Sequence, residues 1–331
     1  MINVAINGFG RIGRRVFRLL LNNPNINVVA INDLADSKTL SHLLKYDSIH
    51  GVLPNTMSFN DNHIIIDNQQ INLQNKNHPK DINWKPYEVD YVIEATGKFK
   101  SFDDLNHHIK NGASKVILSV PPIDDSIKTV VLGVNEDILN KNDVIISNAS
   151  CTTNNAAPMI DIINNLCGIT QAYITTIHSY TTDQSLHDQP HRDLRRARAA
   201  GQSIVPTTTG AAKALTKIFP ELSNAIGGCG IRVPIANGSL TDITFNVKQN
   251  VTVSEVNDAF KKAAESNYKG ILEYTNDPIV SIDIVGNPHS CIFDSLMTSV
   301  IGNMVKIIGW YDNETGYSNR IIDLISKLYK S

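Results

Sequence analysis

Residues 3–14 read N-V-A-I-N-G-F-G-R-I-G-R, and this stretch decides the fold of the first half of the chain. Val4–Ile6 is a short apolar strand, and the apolar spacing of Arg14–Leu21 predicts a helix. Between them lies the pattern G-x-G-x-x-G, formed by Gly8, Gly10 and Gly13. The first glycine permits a tight turn, the second lets backbone approach a pyrophosphate, and the third lets the helix pack on the strand. The stretch therefore predicts a dinucleotide site.

An acidic residue follows the next predicted strand, Ile26–Ile31. Asp33 comes 20 residues after Gly13, where a carboxylate accepts hydrogen bonds from the adenosine ribose of NAD. The alternative is a glycine turn and a helix-capping aspartate, but the strand–glycine–helix order favours the dinucleotide. We expect NAD rather than NADP, because a 2′-phosphate would bring a second anion against Asp33.

Two more predicted strands, Tyr91–Ile93 and Val116–Leu118, lead to Thr96 and Ser119. Both residues fall at carboxyl ends of strands, where open α/β sheets bind ligands. Each also fits an ordinary turn. The pattern extends the predicted dinucleotide-binding unit over roughly the first 150 residues.

Residues 147–154 read S-N-A-S-C-T-T-N, with Cys151 between a predicted strand, Val144–Ile146, and a predicted helix, Asn155–Leu166. A helix N-terminus favours the thiolate, which is the nucleophilic form of cysteine. The alternative is a buried structural cysteine, the role expected of Cys167, Cys229 and Cys291.

The second half carries candidate anion-binding residues. A predicted strand, Tyr173–Ile177, ends at His178 and opens a long segment, 179–202, without helix or strand periodicity. Four arginines of this segment suit phosphate recognition, with a solvated surface or a subunit contact as the alternative: Arg192, Arg195, Arg196 and Arg198.

Thr209 and Gly210 precede a predicted helix, Ala211–Phe219, so they fit either a second anion site or simple helix capping. Arg232 lies in apolar sequence and needs an anionic partner. Strand-like segments follow at 241–247 and 279–285, with helices predicted over Val253–Ala264 and Ile321–Leu328.

Bulk properties exclude several classes of protein. The 331 residues carry a net charge of -2, which gives no electrostatic basis for a nucleic-acid or membrane partner. Four cysteines without a C-x-x-C pair argue against a disulfide scaffold or a metal site. The N-terminus enters a strand at once, so we expect no signal peptide and a cytoplasmic protein.

Together these motifs resemble the phosphorylating glyceraldehyde-3-phosphate dehydrogenases of bacteria, over essentially the whole chain. The most specific segments are S-N-A-S-C-T-T-N and W-Y-D-N-E-T-G-Y-S-N-R (310–320). The resemblance implies an α/β fold, a homotetramer and three regions. These are a Rossmann NAD-binding domain (1–150), an α+β catalytic domain with a mostly antiparallel sheet (151–315), and a C-terminal helix (316–331) that docks back on the first domain.

The resemblance also implies residue roles. Cys151 is the nucleophile, and His178 is its base and imidazolium partner. The dinucleotide is held by Gly8, Gly10, Arg11, Ile12, Gly13, Asp33, Thr96, Ser119 and Asn313, the last orienting the nicotinamide amide. Thr181, Arg195 and Arg232 match the pocket for the substrate phosphate, and Ser150, Thr152, Thr209 and Gly210 match that for inorganic phosphate.

The implied reaction oxidises D-glyceraldehyde 3-phosphate through a cysteine thioester that inorganic phosphate cleaves. The alternatives are erythrose-4-phosphate dehydrogenase and a non-enzymatic NAD- or RNA-binding protein on the same fold. Three positions depart from the family pattern. Asn155 replaces a second cysteine, Gln189 replaces a leucine before Pro190, and Cys229 replaces an apolar residue.

Overall fold

The computed structural model describes residues 1–330, which divide into two compact units. The first unit comprises residues 1–130, 137–149 and the C-terminal segment from 318. The second comprises residues 131–136 and 150–317. Within the described residues, no helix is long and apolar enough to cross a membrane, and no group of three or more His, Cys, Asp or Glu side chains could hold a metal ion.

The described part of the first unit is built on a nine-stranded sheet with the order β10-β11-β9-β8-β1-β2-β7-β6-β5. The strands from β10 to β7 pair in parallel, and β7, β6 and β5 form an antiparallel meander. A two-stranded ribbon, β3–β4, lies apart. The strands are β1 (Ile2–Asn7), β2 (Ile26–Asn32), β3 (Tyr46–Asp47), β4 (Gly51–Val52), β5 (Met57–Asn60), β6 (His63–Ile66), β7 (Gln69–Gln74), β8 (Tyr91–Glu94), β9 (Lys115–Leu118), β10 (Lys128–Thr129) and β11 (Ile145–Ser147).

Helices connect these parallel strands, as a parallel sheet requires. They are α1 (Arg11–Leu20), α2 (Ser37–Lys45) and α3 (Phe102–Lys110). Trp84 and Leu105 pack with Val92 and Val116 of the central strands in one fully buried apolar cluster. Burial on both faces explains why these strands read as continuous apolar runs.

The second unit contains, within the described residues, an eight-stranded sheet with the order β13-β14-β12-β15-β19-β17-β16, where β18 pairs with β19. Five of the seven pairings are antiparallel, and β12–β14 and β16–β17 are parallel. The strands are β12 (Ile169–Ser179), β13 (Val205–Thr207), β14 (Ile226–Val233), β15 (Ser239–Val247), β16 (Leu272–Thr275), β17 (Cys291–Asp294), β18 (Ser299–Ile301) and β19 (Met304–Tyr311). The helices are α4 (Cys151–Cys167), α5 (Ala211–Ile218) and α6 (Val253–Glu265), followed by α7 (Thr315–Lys330), which continues into the first unit.

The predicted fold class is confirmed, but several element bounds differ. Helix α4 begins at Cys151 itself, and His178 lies inside β12 rather than after it. Residues 279–285, expected to be a strand, contain none, and a turn covers most of them, at 281–286. Their backbone bonds locally, because the amide of Val280 donates to Asp283 Oδ2 and that of Asp283 to the Val280 carbonyl. Apolar alternation alone could not reveal this competing turn chemistry.

Candidate active site

Cys151 is the first residue of α4, and the turn before it is conformationally unusual. Ala149 adopts φ 57°, a left-handed conformation that costs energy outside glycine. Ser150 then caps the helix, because its Oγ accepts a hydrogen bond from the Thr153 backbone N–H at 3.1 Å. This capped terminus directs its dipole at the thiol of Cys151, which keeps partial solvent exposure.

His178 brings a ring nitrogen to that thiol. The distance from Cys151 Sγ to His178 Nε2 is 3.4 Å. The imidazole is buried, and its Nδ1 lies 2.7 Å from the Ser179 carbonyl oxygen. The parallel register of β12 and β14 places Arg232 directly opposite His178, with Arg232 Nη1 also 2.7 Å from Nδ1. Three elements therefore meet at one cysteine–histidine–arginine group.

The expected imidazolium–thiolate pair is not what this arrangement favours. Burial, and then the adjacent charge of Arg232, lowers the pKa of His178 to about 3. Burial raises the pKa of the Cys151 thiol, while the Arg232 charge and hydrogen bonds with Thr152 act in the opposite direction. Arg232 Nη1 also lies at hydrogen-bond distance from Nδ1, so burial and this positive neighbour together disfavour a second imidazole proton.

Tyr311, at the end of β19, was not among the predicted site residues. Its buried hydroxyl bonds to the hydroxyls of Thr152 and Thr176, each at 2.9 Å. Its ring lies edge-on to His178, with the centroids 5.9 Å apart. The W-Y-D-N-E segment carried the signal for Tyr311, but its contacts span 135 and 159 residues of sequence.

Asn313 is held by two serines. Its Oδ1 accepts hydrogen bonds from the hydroxyls of Ser179 and Ser239, both at 2.9 Å. An amide whose oxygen is fixed in this way presents its NH₂ group in one direction. Nothing in the sequence around Ser239 indicated that its hydroxyl would hold the Asn313 side chain.

In the arginine segment the residue turned inward is not the one named from the sequence. Arg195, expected at the phosphate pocket, is exposed, whereas the neighbouring Arg196 is largely buried and turned inward. The Arg196 guanidinium pairs with Asp183 and donates to Thr207 Oγ1 at 2.9 Å. Its charge also acts on His178, where it lowers the pKa together with Arg232. In an irregular segment, adjacent arginines cannot be told apart by periodicity.

The other predicted phosphate residues lie in the same unit. Thr181 is half-buried just after β12, and Gly210 is exposed at the start of α5. Thr209 Oγ1 accepts a hydrogen bond from the Ala211 N–H at 3.2 Å, so one of its lone pairs is used at the start of α5. Ser150 and Thr152 are likewise engaged with Thr153 and Tyr311.

Of two positions that depart from the family pattern, the structure explains Asn155 but not Cys229. The Asn155 side-chain amide lies 3.2–3.3 Å from the carbonyl oxygens of Gly309 and Trp310, which ties α4 to β19. A cysteine could not donate in this way. Cys229 is half-buried on β14, 3.9 Å from Thr175 Oγ1, and nothing in the structure explains its presence.

The glycine turn of the first unit can accommodate a dinucleotide. Gly8 has φ 93°, and a Cβ there would lie 2.6 Å from the Thr96 nitrogen. A Cβ on Gly13 would lie 2.2 Å from the Gly8 oxygen, so the helix packs on the turn as the motif predicts. Gly10 faces open space, which leaves its backbone free to approach a ligand.

The remaining predicted cofactor residues surround this turn. Asp33 Oδ2 accepts from the Phe9 N–H at 2.7 Å, which places the carboxylate beside the start of α1. Arg11 forms a two-pronged ion pair with Asp47, and Ile12 is half-buried on the first turn of α1. Ser119 Oγ donates to the Glu94 carbonyl at 2.8 Å. A parallel sheet with this turn at its carboxyl edge, in a chain that also carries a cysteine–histidine pair, is typical of NAD-dependent oxidoreductases.

Comparisons with known proteins agree with that class. Residues 2–102 match the model of the glyceraldehyde 3-phosphate dehydrogenase NAD binding domain, and residues 150–313 match that of the C-terminal domain. The chain is 51% identical over 328 residues to glyceraldehyde-3-phosphate dehydrogenase 1 of Bacillus cereus, covering 98% of this chain and 97% of the relative. It is 50% identical over 325 residues to the glyceraldehyde-3-phosphate dehydrogenase of Geobacillus stearothermophilus, with the same two coverages.

A third relative, glyceraldehyde-3-phosphate dehydrogenase 2 of Streptomyces avermitilis, is 53% identical over 327 residues, again covering 98% of this chain and 97% of the relative. The chain belongs to the glyceraldehyde-3-phosphate dehydrogenase family. Its cofactor is NAD, as predicted from the glycine pattern and Asp33.

Proposed function

We propose that this chain catalyses the phosphorylating oxidation of D-glyceraldehyde 3-phosphate to 1,3-bisphosphoglycerate, with NAD⁺ and inorganic phosphate as co-substrates. The contact of 3.4 Å between Cys151 Sγ and His178 Nε2 carries the proposal, because a nucleophile and a base must lie within reach of each other. The names of the relatives support the substrate and do not favour erythrose 4-phosphate or a non-enzymatic role.

The residues of the second unit would perform the covalent chemistry. Cys151 Sγ forms a C–S bond to the aldehyde carbon as His178 Nε2 takes the thiol proton, which then passes to the carbonyl oxygen to give a hydroxyl. His178 Nε2 accepts that hydroxyl proton again as hydride leaves the carbon. This requires the tautomer with its proton on Nδ1, which the Ser179 carbonyl oxygen can accept at 2.7 Å. Bound NAD⁺ supplies the acceptor for the hydride that leaves the same carbon. Phosphate oxygen then attacks the thioester and returns the thiolate.

Two anion pockets serve the two phosphates in this proposal. Arg232 and Thr181 would hold the substrate phosphate, and Arg196 takes the place first assigned to Arg195 because its guanidinium is turned inward. Ser150, Thr152, Thr209 and Gly210 would receive inorganic phosphate at the starts of α4 and α5.

The proposed NAD-binding residues lie in the glycine turn and in segments distant from it in sequence. The pyrophosphate of NAD would be held by Gly8, Gly10, Arg11, Ile12 and Gly13, and the adenosine ribose by Asp33. Thr96 and Ser119 would contact the cofactor at the carboxyl ends of β8 and β9. Asn313 would orient the nicotinamide amide, since the hydroxyls of Ser179 and Ser239 fix its oxygen.

The domain organisation and cellular context complete the proposal. Residues 1–150 serve as the NAD-binding domain, 151–315 as the catalytic domain and 316–331 as the docking helix. The enzyme works as a cytoplasmic homotetramer. Size-exclusion chromatography with light scattering tests the oligomeric state.

The function itself is tested by NADH formation from the aldehyde, NAD⁺ and phosphate. Omitting phosphate should stop turnover after one equivalent of NADH per site. Cys151→Ser should abolish turnover and keep NAD binding, while Cys167→Ser, at a buried cysteine at the end of α4, is the matched control and should stay active. Substantial turnover by pure Cys151→Ser protein contradicts the covalent mechanism.

A further inference from the structure

Glu94 ends β8 and is fully buried, and none of the roles above uses its side chain. Its Oε2 accepts a hydrogen bond from Asn7 Nδ2 at 2.5 Å and lies 3.2 Å from His108 Nε2. Its Oε1 accepts from the Thr96 backbone N–H at 2.9 Å and also from the Thr96 hydroxyl. Each oxygen therefore faces two donors, those of Thr96 just after β8 and those of Asn7 and His108 from distant parts of the first unit.

The hydrogen-bond directions in this cluster are fixed. Trp84 Nε1, which can only donate, lies 3.0 Å from His108 Nδ1, so the proton of a neutral His108 sits on Nε2 and faces Glu94. The Thr96 hydroxyl accepts from the Lys98 N–H at 3.1 Å, which leaves its own proton for Glu94. Four donors that converge on one carboxyl group require the ionised carboxylate.

This carboxylate bonds to two residues that adjoin the glycine turn. Thr96 packs so closely on Gly8 that a Cβ on Gly8 would lie 2.6 Å from the Thr96 nitrogen. Asn7 directly precedes Gly8, and its Oδ1 accepts from Asn32 Nδ2 at 2.8 Å. Glu94 thus links the carboxyl ends of β1, β2 and β8, which are neighbours in the sheet.

We propose that Glu94 is a positioning residue for NAD, which sets the Gly8 turn through Asn7 and Thr96 and is itself held by His108 and Trp84. The inference rests on the proposed placement of the dinucleotide at this turn. Glu94 need not touch the cofactor. It fixes the backbone that does, in the way that partners behind a binding residue keep that residue in its productive geometry.

Glu94→Gln keeps the shape and replaces one acceptor oxygen by an NH₂ donor. That group must face either the two Thr96 donors or those of Asn7 and His108, so two hydrogen bonds become repulsive contacts. We expect the Kd of NAD, measured by fluorescence titration of the full-length protein, to rise about tenfold or more. The KM for NAD should rise with it, and the KM for the aldehyde should not.

Asp161→Asn is the matched control, because Asp161 also accepts a side-chain hydrogen bond, from the Tyr268 hydroxyl at 2.6 Å, but lies in the second unit. It should leave the Kd of NAD unchanged. A folded Glu94→Gln protein whose Kd lies within about twofold of wild type overturns the positioning role. A wild-type protein that binds no NAD contradicts the proposed function instead, and this inference with it.

Trp84→Phe provides a second test that leaves Glu94 in place. Without the indole donor, the Nδ1 side of His108 loses the hydrogen bond that holds its ring, so the Nε2–H hydrogen bond to Glu94 is less firmly positioned. We expect the Kd of NAD to rise about threefold or more, in the same direction as for Glu94→Gln. If Glu94→Gln does not fold, an unchanged Kd in folded Trp84→Phe protein overturns the proposal.

Discussion

Arg232 Nη1 and His178 Nδ1 lie 2.7 Å apart, and both face the carbonyl oxygen of Ser179, at 2.9 Å and 2.7 Å. Only one of them can donate along their shared contact. While Arg232 donates to Nδ1, the imidazole proton sits on Nε2 and the ring cannot accept a proton there. In the proposed reaction Arg232 would turn to the substrate phosphate, so that Nδ1 could donate to the Ser179 carbonyl oxygen and Nε2 could act as the base. We therefore expect phosphate binding to be coupled to the protonation of the histidine.

Arg232→Leu tests this coupling with two substrates. We expect the preference in kcat/KM for glyceraldehyde 3-phosphate over unphosphorylated glyceraldehyde to fall by about 2–5 kcal/mol, because a charged hydrogen-bond partner of the phosphate is lost. The pH profile of Cys151 alkylation by iodoacetamide should also move upward, since the Arg232 charge lowers the pKa of that thiol. An equal loss for both substrates would place Arg232 in structure alone.

The adjacent arginines form a matched pair. Arg196→Leu should raise the KM for the phosphorylated aldehyde about tenfold or more, because Arg196 is turned inward toward Thr207 and its charge reaches His178. Arg195→Leu removes the same charge from an exposed position and should change this KM less than about twofold. The reverse ranking in steady-state kinetics would restore the prediction made from sequence.

His178 should make stability depend on pH. Its pKa in the folded chain is about 3, below the value of about 6.5 for an unfolded histidine, so between these values the unfolded chain binds more protons. The free energy of unfolding should therefore fall by up to about 1.4 kcal/mol per unit as pH drops through this window.

Urea unfolding at pH 5 and pH 7 gives the change in the free energy of unfolding between these two pH values. The contribution of His178 is the difference in that change between wild type and His178→Asn. The variant should lose part of the pH dependence. His187→Asn, at an exposed histidine of the same unit, should retain it. Identical slopes for wild type and His178→Asn would mean that His178 is not the group responsible.

Asp33 should select NAD over NADP. Its carboxylate lies beside the start of α1 and would oppose a 2′-phosphate, so Asp33→Ala should lower the ratio of kcat/KM for NAD to that for NADP. Gln189→Leu is the comparison variant. The Gln189 side-chain amide donates to Ser185 within its own loop, so this change should leave the ratio nearly unmoved. If wild type uses both cofactors equally, Asp33 is not the selector.

The sequence by itself determined the local features of this protein. The glycine turn, the helix after Cys151 and the dinucleotide-binding order of the first unit follow from short-range rules, since turns, caps and periodicity depend on residues a few positions apart. The class of the second unit was implied by the family resemblance. NAD was predicted in the same way from the position of Asp33.

Only the tertiary structure decided which side chains meet. Sheet register joins His178 to Arg232 across 54 residues, and helix α4 brings Thr152 to Tyr311 of β19 across 159. Burial beside a guanidinium, which no local pattern encodes, lowers the pKa of His178 and so disfavours the expected imidazolium. Which of Arg195 and Arg196 is buried depends on the path of an irregular segment. These outcomes arise from long-range packing, because desolvation and the charges of neighbouring side chains exist only once the strands have paired.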